Sequence, residues 1–222
     1  MPPTPPSALG HSVHKALEDF HIRKGYSFDE LLESYNRCWV NEGFTQPQQA
    51  QEYFERGHQM LEQYWENMNV HANIAAIEKE FRFELPGGVM VRGTIDRIDQ
   101  KPDGSYEVID YKTHAELWDQ ERVDGDLQLS VYALACQRSL GYAPCSFCYY
   151  FLAHNKRMNT ARTQRQIDEA LATITEVAKH IKNGEFTPQL SACGTCNFIK
   201  KCARQAPQPQ RSAAVNQENK SS

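Results

Sequence analysis

Three observations predict an α/β chain. Stripes of apolar residues at helical spacing stand near both ends, at residues 10–21 and 166–183. Between them, residues 89–99 and 106–113 are rich in Val, Ile and Tyr and are joined by Pro102-Asp103-Gly104, so they read as a β-hairpin. A further helical stripe at 126–140 is then followed by a strongly apolar strand at 145–153, the alternation that α/β folds share. With 222 residues, 40% hydrophobic and 23% charged, the chain can bury one good core, and one domain with an elaboration is expected.

The elements follow in order. In residues 10–21, Leu9, Val13, Leu17 and Phe20 recur at helical spacing; His14 lies beside that stripe, and Gly10, one turn earlier on the same side, leaves room for a close neighbour. A lone histidine so placed is more often a satisfied core or surface residue than a ligand. Residues 28–40 and 47–68 read as two more helices without motifs of chemistry, a helical elaboration (residues 22–72) expected over the active face. Their aromatics Tyr35, Trp39, Tyr53, Tyr64 and Trp65 read as packing in preference to base stacking. Residues 74–85 form a strand in which Glu80 either reaches a cleft or sits at an edge. In the helix at 126–140, Leu129, Ala133, Cys136 and Leu140 form a buried stripe and leave Gln128 and Tyr132 one turn apart on a neighbouring face. The strand at 145–153 suits the centre of a sheet, and 157–163 is placed to pair with it. The helix at 166–183 closes the fold on Ile167, Leu171, Ile174, Ala178 and Ile181. Residues 206–222 are mostly Gln, Pro, Ser, Ala and Asn with almost no apolar mass, a tail expected to be disordered.

Two aspartates and a lysine in the hairpin carry the chemistry. Side chains alternate along a strand, which places Val108, Asp110 and Lys112 on one face and Ile109 with Tyr111 on the other. Charges are expensive on apolar strands and ask for a reason. If Asp96 faces the same cleft, two carboxylates offer hard oxygen ligands for Mg2+ or Mn2+ with an ammonium beside them. Such a metal activates water and neutralises phosphate charge, while the lysine steadies the nucleophile or the developing negative charge. The plainer alternative is a salt bridge on a solvated sheet face.

The motifs in chain order are Gly10-x-x-x-His14, Glu80 with Phe81 and Phe83 after it, Gly93-Thr94-Ile95-Asp96-Arg97-Ile98-Asp99, Val108-Ile109-Asp110-Tyr111-Lys112-Thr113, Gln128-Leu129-x-x-Tyr132-Ala133, and Cys193-x-x-Cys196-x5-Cys202. In this order they resemble the RecB-like branch of the PD-(D/E)XK nucleases, which includes the AddB nuclease domain and the CRISPR-associated adaptation nucleases. The likeness runs from about Leu9 to Arg204, within a nuclease domain drawn at residues 1–205. It implies a restriction-endonuclease-like core, a central mixed sheet flanked by helices, with a C-terminal Cys-rich iron-sulfur segment at residues 190–205. It also implies a metal-dependent DNase, with the metal held by His14, Asp96, Asp110 and the carbonyl of Tyr111. Lys112 is then the catalytic lysine, and Gln128 and Tyr132 line the site and the DNA path. The expected substrate is DNA, single-stranded or with frayed ends, and the expected partner a helicase or a CRISPR integrase. A different class of reading is a non-catalytic DNA-binding or assembly module with a structural metal centre.

Seven cysteines without a secretory signal point to reduced thiols or metal ligation. Cys193, Cys196 and Cys202 have a spacing that suits one metal centre, and Cys-x-x-Cys alone suits zinc as readily as iron. The resemblance implies that they supply three of the four thiolates of a four-iron four-sulfur (4Fe-4S) cluster, with the fourth far upstream. The nine residues before Gly10 contain no cysteine. The expectation is then a fragment or misplaced start, or completion by Cys38 or, less plausibly, Cys136, Cys145 or Cys148, or a zinc site or none. Cys136, Cys145 and Cys148 themselves read as core residues. No stretch of about eighteen apolar residues occurs and the N-terminus lacks signal features, so a soluble cytoplasmic protein with no membrane partner is expected. The net charge of −4 is low for a binder of nucleic acid, but a metal-bearing cleft needs only local positive charge, expected from Lys112, Lys156, Arg157, Arg162 and Arg165. There is no nucleotide-binding P-loop in the sequence, so any ATP-driven unwinding must come from elsewhere.

Overall fold

The computed structural model describes residues 3–143, 145–187, 189–196, 198, 199 and 202. The described residues up to Ala178 form one compact unit and those from Lys179 onward a second.

Helix α1 (Pro5–Ile22) begins ahead of residue 10 because Pro5 and Pro6 fit its first turn, where an absent N–H costs nothing. It buries Leu9, Val13, Ala16, Leu17 and Phe20. Helix α2 (Phe28–Cys38) starts at a reciprocal cap, in which Ser27 accepts from the Glu30 N–H and the Glu30 carboxylate accepts from the Ser27 N–H. Helix α3 (Pro47–Asn67) packs closely on α2 at Gly57, where a Cβ would come within 1.9 Å of the Tyr35 hydroxyl.

Strands β1 (Asn73–Glu84), β2 (Met90–Gln100), β3 (Tyr106–Lys112), β4 (Cys145–Phe151) and β5 (Lys156–Thr160) form one sheet in that spatial order. All neighbours are antiparallel except β3 and β4, which makes the sheet mixed. The β2–β3 turn forms as expected: Gly104 takes φ +83°, open to glycine at no steric cost, and Asp103 accepts from the N–H and hydroxyl of Ser105. A parallel pair needs a crossover. It is made by a short helix α4 (Gln120–Gly125), which the periodicity did not predict, and by α5 (Leu127–Ala135), which runs into a single π turn at Cys136–Leu140. Strand β4 is interior but not central. Its apolar character comes from helices on both faces, and β3 occupies the middle.

Each face of the sheet has its own core. Val108, Phe147, Tyr149 and Phe151 pack against α5 and the start of α6 (Gln164–Lys182). Ile109, Tyr111, Cys148 and Tyr150 pack against α1 and α3, with Leu31 and Tyr35 of α2 in the same cluster. The elaboration expected over the active face therefore covers the opposite one, because the Tyr111 side of the sheet is apolar and needs cover while the Asp110 side is covered by α5. Of the second unit, the end of α6 and a short 3-10 turn at Leu190–Thr195 are described. The tail at 206–222 and part of 190–205 lie outside the described residues. Among the described residues, no helix is long and apolar enough to cross a membrane.

Candidate active site

Strand alternation brings Asp110 and Lys112 to one face, and helix α5 is set over them. Asp126 caps α5 by accepting from the Gln128 N–H at 2.8 Å, and it is itself held by the Tyr149 hydroxyl at 2.6 Å. Gln128 and Tyr132, one turn apart, both donate to Asp110 Oδ1, at 2.7 and 3.0 Å. Lys112 Nζ lies 2.7 Å from Asp110 Oδ2, donates to Gln128 Oε1 at 2.8 Å, and stands 4.6 Å above the Tyr149 ring. Tyr132 is thus buried in the core with only its hydroxyl at the site. Burial, with the Asp96 charge behind it, pushes the Asp110 carboxyl up to about 6, although the Lys112 ammonium pulls the other way.

A second group of side chains meets where β2 and β3 part. Their last ladder pair is Arg97 with Ile109; beyond it the Tyr111 N–H donates to Asp96 Oδ2 at 2.8 Å. His14 on α1 reaches the same oxygen with Nδ1 at 3.4 Å. Gly10 lets α1 approach: a Cβ there would lie 3.1 Å from the Thr113 hydroxyl. Glu78 completes the group, and donor atoms of His14, Glu78 and Asp96 all lie within 4.8 Å of one another. Glu78 takes φ +44°, a strained conformation for a residue with a Cβ. Burial, then the Asp96 charge, raises the Glu78 carboxyl above its ordinary value. At His14 burial disfavours the imidazolium, but the Asp96 hydrogen bond and the charges of Asp96, Asp110 and Glu78 outweigh it and hold the ring above its ordinary value. Two carboxylates, one imidazole and an adjoining Asp110 make a hard donor set that fits Mg2+ or Mn2+.

Glu80, the residue weighed from sequence, is exposed and pairs with Thr94, one cross-strand step beyond the cluster. Glu78 enters through the strand register instead. Pairing back from the β1–β2 turn, Glu84 with Met90 and Glu80 with Thr94, brings Glu78 opposite Asp96.

Behind the site, the side chain of Tyr111 enters a buried network on the other face. Its hydroxyl lies 3.1 Å from that of Tyr64, which accepts from Arg97 Nη1 at 3.0 Å; Arg97 in turn donates twice to Asp99, at 2.6 and 2.8 Å. His21 Nε2 is 2.8 Å from the Tyr64 hydroxyl and 3.3 Å from Arg97 Nη1, so it is the unprotonated, accepting nitrogen. Burial, with the Arg97 charge, lowers the His21 pKa to about 3.

The late-chain cations do not gather at this site as the charge count implied. Arg157 pairs with Glu107 and lies over Tyr150, on the Tyr111 side of the sheet, and Arg165 pairs with Glu169. Arg162 donates to the Ser130 hydroxyl and to the carbonyls of Val123 and Asp126, tying the crossover together, and Lys156 is exposed on β5. Composition counts charges and is blind to the partners that consume them. In the second unit Cys193 and Cys196 are half-buried, Cys202 is exposed, and the Cys196 N–H donates to the Cys193 carbonyl at 3.2 Å, closing the Cys-x-x-Cys turn. Cys38, on α2, directs its thiol to the Lys15 carbonyl, while Cys136 and Cys148 are buried and Cys145 packs against the core.

A family model described as the PD-(D/E)XK nuclease superfamily matches residues 2–203. Over 54 residues the chain is 43% identical to a subunit of the ATP-dependent helicase/deoxyribonuclease of Streptococcus pyogenes serotype M49, and that stretch is 23% of this chain and 5% of that protein. The corresponding protein of serotype M6 is 44% identical over 54 residues, again 23% and 5%. The matched stretch thus spans a small part of the length of these curated relatives. A solved structure described as "Crystal structure of SSO0001" aligns with 88% of this chain and 84% of its own, at 18% identity and a TM-score of 0.43.

Proposed function

We propose, from the premise that this chain belongs to the PD-(D/E)XK nuclease superfamily, that it is a metal-dependent deoxyribonuclease acting as an exonuclease on single-stranded or frayed DNA ends. The observation that carries this reading is the meeting of the His14, Glu78 and Asp96 donors with the hydrogen-bonded set of Asp110, Lys112 and Gln128. His14, Glu78, Asp96, Asp110 and the Tyr111 carbonyl would hold one or two Mg2+ or Mn2+ ions. Bound there, the metal supplies an activated water and offsets charge on the phosphate.

The chain's own residues do the rest. Gln128 and Tyr132 hold Asp110 Oδ1, which leaves Oδ2 to Lys112. They act on Asp110 as positioning residues. Lys112, steadied by Asp110, Gln128 and the Tyr149 ring, is placed to stabilise the attacking oxygen or the charge that develops on the phosphate. The Tyr64–Arg97 network anchors the Tyr111 side chain and so steadies the peptide whose carbonyl would be a metal ligand.

Cys193, Cys196 and Cys202 would hold a 4Fe-4S cluster with a fourth ligand still to be identified, or alternatively Zn2+; their soft thiol donors fit either. The names of the matched relatives support a helicase as the partner. A role in DNA repair or recombination, in the cytoplasm, belongs to the same proposal. No observation favours the CRISPR integrase.

The test is degradation of end-labelled single-stranded and double-stranded DNA with Mg2+, Mn2+ or EDTA, by wild type and Lys112→Ala side by side. Cleavage that needs metal and falls by about 10²-fold or more in the variant is expected. Undiminished cleavage by Lys112→Ala would refute the assignment, and its absence in folded, metal-replete wild type would favour the binding module.

A further inference from the structure

Two arginines stand directly opposite each other on the β1–β2 ribbon. The register pairs Phe81 with Gly93, Arg82 with Arg92 and Phe83 with Val91. Phe81 and Phe83 are buried in the core, so alternation turns Arg82 and Arg92 to the other face, where both are exposed. Like charges directly opposite in an antiparallel pair are destabilising. Among the described residues none offsets this one, since neither arginine has an ion pair within 4.0 Å or a side-chain hydrogen bond with them. Both line a cleft of about 740 Å³ with Met90, Gly93, Thr94 and Glu80, and the Glu80 carboxylate, though in the cleft, pairs with neither.

The position of this pair matters as much as its charge. Along the same face of the ribbon the cross-strand pairs run Arg82 with Arg92, then Glu80 with Thr94, then Glu78 opposite Asp96, which is the donor cluster. Four residues of strand separate Arg82 from Glu78, about 13 Å. An extended single strand laid along the ribbon with one phosphate at the donor cluster would reach the arginines within a few nucleotides. The late-chain arginines Arg157, Arg162 and Arg165 are engaged within the protein, so Arg82 and Arg92 are the uncommitted guanidinium groups on the strands that build the site. Guanidinium groups match phosphate oxygens bidentately.

We propose that Arg82 and Arg92 form a clamp for the backbone phosphates of the DNA strand whose scissile bond lies at the donor cluster. This rests on the nuclease reading. The clamp holds the strand and takes no part in bond breaking; it is read by no base edge, so it is indifferent to sequence.

The test compares wild type, Arg82→Gln/Arg92→Gln and Arg82→Lys/Arg92→Lys. Binding of a fluorescent single-stranded oligonucleotide is measured by anisotropy in EDTA across a salt series, with cleavage rates in Mg2+ or Mn2+ and thermal melting alongside. The glutamine pair should bind tenfold or more weakly, with a slope of log affinity against log salt smaller by about 1.4, the value for two strand phosphates. Its KM should rise while kcat at saturating DNA stays within about twofold, and its melting temperature should hold or rise as the repulsion is removed. The lysine pair, which keeps the charge and loses the fork, should restore the slope with part of the affinity. Equal affinity and slope in the glutamine pair, from a wild type that cleaves DNA, would overturn the clamp and leave the nuclease standing. Equally, competition by inorganic phosphate as effective as by oligonucleotide would overturn it in favour of a pocket for a free anion. A wild type that binds with this arginine-dependent slope and never cleaves would sink the nuclease reading and, with it, the scissile strand of the clamp, leaving the arginines as phosphate contacts of a binding module.

Discussion

Asp110 and Lys112 could be placed on a common face from the two-residue period of a strand alone, and they lie 2.7 Å apart. Glu78 could not be seen this way, because its role depends on pairing with a different strand and on a local backbone conformation, φ +44°, that no residue type announces. His21 was likewise invisible: as one more residue near the end of α1 it gave no sign that it would be buried against Arg97 and Tyr64. Its burial has a consequence that can be measured. The folded protein keeps His21 neutral down to about pH 3, whereas the unfolded chain takes up a proton near 6.5. The stability from this group is therefore present above about pH 6.5 and is lost as pH falls from there toward 3. Between pH 6.5 and 5, wild type should lose about 2 kcal/mol more than His21→Gln in denaturant titrations, since each pH unit carries about 1.4 kcal/mol. Parallel pH profiles for the two proteins would show that His21 is not held neutral.

At the scale of elements, the helices were legible wherever an apolar stripe repeated, and their ends moved with local chemistry. Two prolines start α1 early, and a π turn replaces the last turn of the stripe after α5. Short α4 has one buried residue, Val123, too little to make a period. The aromatics of α2 and α3 pack as read: Tyr35 stacks on Phe54 at 5.0 Å and Trp39 on Phe44 at 5.6 Å, and Tyr64 is buried. The contact between these helices fixes the sign of one substitution. Gly→Ala inside a helix ordinarily stabilises by about 0.5–1 kcal/mol. At Gly57 the added methyl would fall 1.9 Å from the Tyr35 hydroxyl and 2.9 Å from Leu9, so overpacking reverses the sign. Gly57→Ala should destabilise by about 1–3 kcal/mol in chemical unfolding. A variant as stable as wild type, or more so, would mean that α2 and α3 are not in this contact.

For the whole molecule, the mixed sheet with helices on both faces belongs to the α/β class that the order of elements implied. The metal content of the Cys-rich segment is a question for the intact chain. Protein purified without oxygen should carry iron on the order of four atoms per chain, by elemental analysis, and lose it in Cys193→Ala. Stoichiometric zinc in its place would assign a zinc centre, and neither metal would sink the proposal of a metal-holding trio. Sequence by itself determined the order of the strands and of the longer helices, the hairpin that carries Asp96, Asp110 and Lys112, and the family likeness, because these rest on local periodicity, turn chemistry and the order of motifs. Tertiary structure alone decided that Glu78 joins His14 and Asp96, that the elaboration covers the Tyr111 face, and that Arg157 and Arg162 are taken up by partners on other elements. Each of those depends on register and packing between segments far apart in the chain, where the distance along the sequence says nothing about distance in space.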